Sequence, residues 1–104
     1  MTINLGLYNR SVALKAANPN LKVLLAVGGW TDSGTGDKYS RLVASAGSRY
    51  NFAKHAVDFL TTWGFDGIHL DWQYPTCWQG DCSRGSTTDK SNYVLLIKVC
   101  SFFN

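Results

Sequence analysis

Asp66, His69, Asp71 and Gln73 lie within one stretch of the 104-residue chain, Phe65-Asp66-Gly67-Ile68-His69-Leu70-Asp71-Trp72-Gln73-Tyr74-Pro75. Read with period two, as a strand, Gly67, His69, Asp71 and Gln73 point one way, and Ile68, Leu70 and Trp72 the other. One face is then apolar and suits packing under helices. The opposite face carries an imidazole, a carboxylate and an amide in a row rising roughly 7 Å per pair of residues. Such a row is costly to bury unless its groups pair with each other, with neighbours or with a ligand. A carboxylate flanked by two hydrogen-bonding groups can orient a polar ligand, whereas an amide has no proton to give at any useful pH. An edge strand with a polar face fits the same pattern. Pro75 cannot donate to a ladder and ends the strand.

The stretch resembles the active-site signature of glycoside hydrolase family 18 chitinases, Asp-Gly-x-x-Asp-x-Asp-x-Glu, flanked by Phe before and Tyr-Pro after. Phe65, Asp66, Gly67, Asp71, Trp72, Tyr74 and Pro75 match. His69 stands where the middle Asp is expected, and Gln73 where the catalytic Glu is expected. The resemblance implies substrate-assisted hydrolysis, an exception to the two-carboxylate scheme. The Glu protonates the glycosidic oxygen, the substrate's own N-acetyl carbonyl attacks the anomeric carbon, and the last Asp orients the acetamido group. The middle Asp tunes that last Asp. Of this set only Asp71 remains; a His69 beside it is expected to pair with it, and Asp66 to make a structural hydrogen bond near the strand start.

The resemblance therefore implies a chitinase-like protein that has lost catalysis, whose full-length relatives bind chitin or N-acetylglucosamine oligomers without cofactor or metal. The alternatives are a working chitinase with a rearranged site and a truncated product without function. Trp30, Tyr74 and Trp78 are the candidates for stacking on sugar rings, while Trp72, on the apolar face, is assigned to the core.

The elements that must position these residues follow in chain order. Leu5, Tyr8 and Val12 recur at helical spacing, which predicts a helix over Leu5 to Ala17, ended by Asn18-Pro19-Asn20. Leu21 to Val27 is a nearly continuous apolar run, the pattern of a strand buried on both faces of a parallel sheet. Gly28-Gly29-Trp30 follows, and resembles the Gly-Gly-Trp ending of the third barrel strand in the family. Thr31 to Lys38 reads as a loop, with one short helical turn at Leu42 and Val43. Ser48 is the expected N-cap of a helix from Arg49 to Trp63, with a stripe of Phe52, Ala56, Phe59 or Leu60, and Trp63, and Gly64 at its C-terminal cap. Strand, loop, helix and strand make a βαβ unit. Tyr93 to Lys98 begins a further helix.

Cys77 and Cys82, with four residues between them, fit either a local disulfide or two free thiols; a zinc site lacks a second pair. This segment resembles the same loop in insect-type chitinases, with Asp89-Lys90 starting the next helix. That resemblance implies the disulfide, leaves Cys100 as the odd thiol, and points to an extracellular parent protein.

Hydrophobic residues make up 45% of the chain and charged ones 16%, neither a disordered nor a membrane-spanning composition. The net charge of +3 comes from scattered Lys and Arg with no basic stripe, so nothing points to nucleic acid. Met1-Thr2-Ile3-Asn4 has no basic or apolar leader pattern, and no signal peptide is expected in this chain. The implied fold is α/β, a fragment of a (β/α)₈ barrel running from about the second helix through the fourth. Residues 1–104 are one partial catalytic-type domain, since such a barrel needs about 250 residues.

Overall fold

A computed structural model describes residues 5–103. Helix α1, Leu5–Ala17, ends where predicted. Pro19 stops it, and the Asn18 side chain turns the chain by accepting the Asn20 N–H at 3.2 Å. Strand β1 is Leu24–Gly29 and strand β2 is Gly67–Trp72. They pair in parallel, from Leu24 opposite Gly67 to Gly29 opposite Trp72.

Strand β1 corrects the sequence reading at both ends. It starts three residues later than Leu21 because Val23 is already committed elsewhere. Its N–H donates to the Asp66 carboxylate at 2.8 Å and its carbonyl accepts the Asp66 N–H at 2.8 Å. The ladder then runs through both glycines, where a continuous apolar pattern gives no signal. The strand is also not buried on both faces. Leu25, Val27, Ile68, Leu70 and Trp72 face the helices, whereas Leu24, 53% exposed, shares the open face with Ala26 and His69.

Three helices cross over between the strands. The expected loop from Thr31 to Lys38 is shorter than predicted: Trp30–Ser33 forms a single turn, α2, and α3 occupies Lys38–Val43. The Asp32 carboxylate joins them by accepting from Lys38 Nζ and the Tyr39 hydroxyl. Helix α4 is Ala46–Trp63, three residues longer at its start than predicted. Its N-cap is Ser45, not Ser48. Ser45 has the extended backbone a cap needs and its hydroxyl accepts the Ser48 N–H at 3.2 Å. Gly64, at φ 79°, closes the helix in the left-handed conformation that glycine adopts without penalty. Helix α5, Asp89–Ser101, begins at the Asp-Lys pair, as the resemblance implies, and runs on past Lys98.

The core lies between the helix-facing side of the sheet and α3, α4 and α5. Val43, Trp72 and Leu96 are buried, with Tyr39, Phe52, Leu70 and Tyr93 packed around them. The Trp72 ring stacks on Tyr39 at 5.8 Å and meets the edge of Tyr93 at 5.4 Å. Each large side chain so buried stabilises the fold by about 1.5–3 kcal/mol. Near the start of β2, Tyr8 of α1 meets Phe59, Trp63 and Phe65 edge to face, which docks α1 beside α4.

Candidate functional site

Parallel strands end at the same edge, so the register brings Gly28 and Gly29 beside Asp71 and Trp72, with Trp30 and Gln73 next along each chain. The approach is close. Gly28 has φ 115°, and a Cβ built on it would lie 2.3 Å from the Asp71 carbonyl oxygen. Only glycine fits there.

Asp71 is half-buried, and its Oδ1 accepts from Gln73 Nε2 at 2.9 Å. Gln73 is itself held through its main chain. Its N–H donates to Ser33 Oγ at 2.8 Å, and its carbonyl accepts the Gln79 N–H at 2.8 Å. Ser33 is 1% exposed, so this anchor is fixed inside the fold. The resulting pair of carboxylate and amide can accept and donate hydrogen bonds to a polar ligand. It holds no group that would protonate a leaving oxygen.

The expected pairing of His69 with Asp71 is corrected by this geometry. His69 is exposed, on the open face opposite Ala26, and Asp71 takes its side-chain partner from Gln73 instead. His69 is fixed within the ladder, two residues and so roughly 7 Å along the strand from Asp71. Gln73 lies past the last paired residue, where its long side chain folds back. Asp66 is at the far end of β2. It accepts from Lys15 Nζ at 2.7 Å as well as from Val23, tying α1 and β1 together. The Lys15 and Val23 hydrogen bonds hold its carboxyl below the usual carboxylate range.

Trp30, 53% exposed, borders an open cleft with Gly28, Thr31, Asp32 and Lys38. Burial pushes the Asp32 carboxyl up, but the hydrogen bonds from Lys38 and Tyr39 outweigh it and hold the group below its ordinary range. Burial and the Asp32 acceptor together push the Tyr39 hydroxyl far upward, so it stays a donor. Tyr74 is 49% exposed. Trp78 instead turns inward: its indole N–H donates to Asp89 Oδ2 at 3.2 Å, and the Arg84 guanidinium lies 5.9 Å over its ring. Trp72 is 5% exposed and belongs to the core.

Cys77 and Cys82 form a disulfide across the loop that follows β2. Cys100 is a free, half-buried thiol pushed up by burial. Among the described residues, no three His, Cys, Asp or Glu side chains are arranged to hold a metal ion. No helix among them is long and apolar enough to cross a membrane.

Sequence reasoning missed two supports of the site. Asp89 is 1% exposed, and its carboxylate accepts from the Ser40 hydroxyl, the Thr76 N–H at 3.0 Å, Trp78, and the Ser86 N–H at 3.1 Å. An acid opening a helix was legible; its four partners, most of them backbone groups or distant residues, were not. Ser33, in a stretch of polar and glycine residues, carried no signal at all.

The family model for glycosyl hydrolases family 18 matches residues 2–101. The chain is 47% identical over 94 residues to probable chitinase 10 of Drosophila melanogaster, covering 90% of this chain and 4% of that protein. It is 48% identical over 93 residues to chitotriosidase-1 of Mus musculus, covering 88% of this chain and 18% of that protein. Among solved structures, it resembles catalytic domain 2 of the Ostrinia furnacalis Group II chitinase, crystallised with a (NAG)5 sugar. The TM-score is 0.86 at 49% identity, over 92% of this chain and 24% of that one. The chain thus spans less than a fifth of the length of these two relatives, and its helices and strands match part of a (β/α)₈ barrel.

Proposed function

This chain belongs to glycosyl hydrolase family 18, and from that premise we propose that it is a chitinase-like segment that binds N-acetylglucosamine oligomers without cleaving them. One observation carries the reading: Gln73 occupies the place of the acid, with its amide hydrogen-bonded to Asp71. Loss of general acid catalysis costs about 10² to 10⁴ in rate. His69, in the place of the middle Asp, removes the second carboxylate that would tune Asp71. Asp71, Gln73 and the exposed rings of Trp30 and Tyr74 remain as hydrogen-bonding and stacking groups for a sugar. The Cys77–Cys82 bridge supports an oxidising, extracellular setting for the parent protein.

The test places this segment in a complete family barrel, such as the Ostrinia furnacalis domain, and follows a fluorogenic chitobiose substrate. With His69 and Gln73 in place, no release is expected. Gln73→Glu restores part of the rate, because the acid's pKa depends on neighbouring carboxylates. Gln73→Glu with His69→Asp restores most of it. Hydrolysis by the graft with both native residues refutes the reading, and equal rates in the single and double variants refute the role given to position 69.

A further inference from the structure

The ladder stops at Gly29 opposite Trp72; beyond it the Gln73 N–H holds the far end of the α2 turn through Ser33 Oγ, while nothing in the sheet fixes Trp30, at the near end, relative to Gln73. A ligand that stacks on one and hydrogen-bonds the other needs both in register, since a misplacement of about 1 Å is enough to spoil such a site. The loop closed by Cys77–Cys82 reaches across this gap at Gln79. The Gln79 main-chain N–H donates to the Gln73 carbonyl at 2.8 Å, and its side-chain Nε2 donates to the Trp30 carbonyl at 3.1 Å. The two attachments come from one half-buried residue and bind segments of the chain separated by more than forty positions.

Gln79 is itself clamped. Its Oε1 accepts from Arg84 Nη1 at 3.0 Å, while Arg84 Nη2 donates to the Gly34 carbonyl at 3.0 Å. The Gln79 amide lies where a side chain on Gly34 would be: a Cβ there would sit 2.2 Å from it. Gln79 also holds φ 52°, in the left-handed region that a residue without β-branching enters only when its surroundings impose it. Arg84 is braced on the Trp78 ring and Trp78 on Asp89.

We propose that Gln79, set by the disulfide loop, is a positioning residue that fixes Trp30 and Gln73 relative to each other at the sugar-binding edge. This rests on the proposed sugar-binding reading of that edge. Gln79 does not touch the sugar; it acts through the main chain of two residues that do. An amide suits the task because it donates to Trp30 and accepts from Arg84 at once.

The experiment uses the 104-residue chain labelled with 5-fluorotryptophan, its four ¹⁹F resonances assigned by single Trp→Phe variants. In Gln79→Ala, the Trp30 resonance is expected to move by more than its line width while that of buried Trp72 stays in place and reports an intact core. Gln79→Glu separates positioning from loss of fold. Ionised, it keeps the acceptor for Arg84 but has no donor for Trp30; protonated, it regains one. The Trp30 resonance of Gln79→Glu should therefore step back toward the wild-type position as the pH falls through the carboxylate range. Asp32, beside Trp30, and Arg84 are present in both chains, so the wild type over the same range is the control. A Trp30 resonance unchanged in Gln79→Ala, or a Gln79→Glu profile parallel to wild type, overturns the proposal. Titration with N-acetylchitopentaose is read separately. If Gln79→Ala moves Trp30 but the sugar perturbs no resonance of the wild type, Gln79 still positions Trp30 and the sugar-binding reading fails.

Discussion

The two faces of the β1–β2 sheet differ in what covers them and in what they carry. On one, Leu25, Val27, Leu70 and Trp72 are packed beneath α3, α4 and α5. On the other, Leu24, Ala26 and His69 are exposed, and Asp71 is held by Gln73 at the upper edge. The packed face keeps Trp72, which matches the family pattern and sits in the core. The departures from the pattern, His69 and Gln73, both belong to the other series of residues. Packing and the exposed row are therefore separable at His69: a substitution there leaves the core undisturbed.

The comparison predicts a ranking of stability effects, measured by urea unfolding. Trp72→Ala removes the centre of the core and should cost about 3–5 kcal/mol. Gly28→Ala forces a methyl group against the Asp71 carbonyl and should cost roughly 2–4 kcal/mol from strain and overpacking together. Ser33→Ala leaves the Gln73 N–H without its buried acceptor, at about 1–3 kcal/mol. His69→Ala, on the open face, should stay within about 0.5 kcal/mol of wild type. A His69 variant as damaging as the Ser33 one would break the distinction between the faces.

The smallest effect expected is one of pH. The Asp66 carboxyl is held below its unfolded value of 3.8 by Lys15 and Val23. A carboxylate with a depressed folded pKa contributes fully above the unfolded value and loses that contribution as pH falls through the folded one. Stability should thus decline as the pH falls below about 4, and Asp66→Asn should flatten part of that decline. Added salt should shrink the difference, because the pair is solvent-exposed.

Much of the scaffold was legible because it is written in local pattern. The end of α1, the Gly64 cap and the division of β2 into two faces all follow from spacing and residue type. What failed did so where distant groups decide. The start of β1 is set by Asp66, 43 positions away from Val23. The N-cap of α4 fell to the first of two serines three residues apart, a choice made by backbone conformation. The pairing at Asp71 turned on where the ladder stops. Among the site residues, the signature positions were found by resemblance, while the side chains of Ser33, Gln79 and Asp89 bind main-chain groups and distant side chains, which leave no mark on residue spacing.

The buried carboxylate of Asp89 also orders events in time. It opens the last helix, yet the groups it binds lie in α3 and in the loop that ends just before it, with Ser40 49 positions earlier. A chain growing from its N-terminus can form α4 and pair β1 with β2 before residue 89 is made. Until then Thr76, Trp78 and Ser86 have no acceptor to gather around, and the loop that carries Gln79 has nothing to close on. Such long-range contacts reward the chain only after the intervening segment has been ordered. The loop that carries Gln79 is therefore completed only when α5 docks.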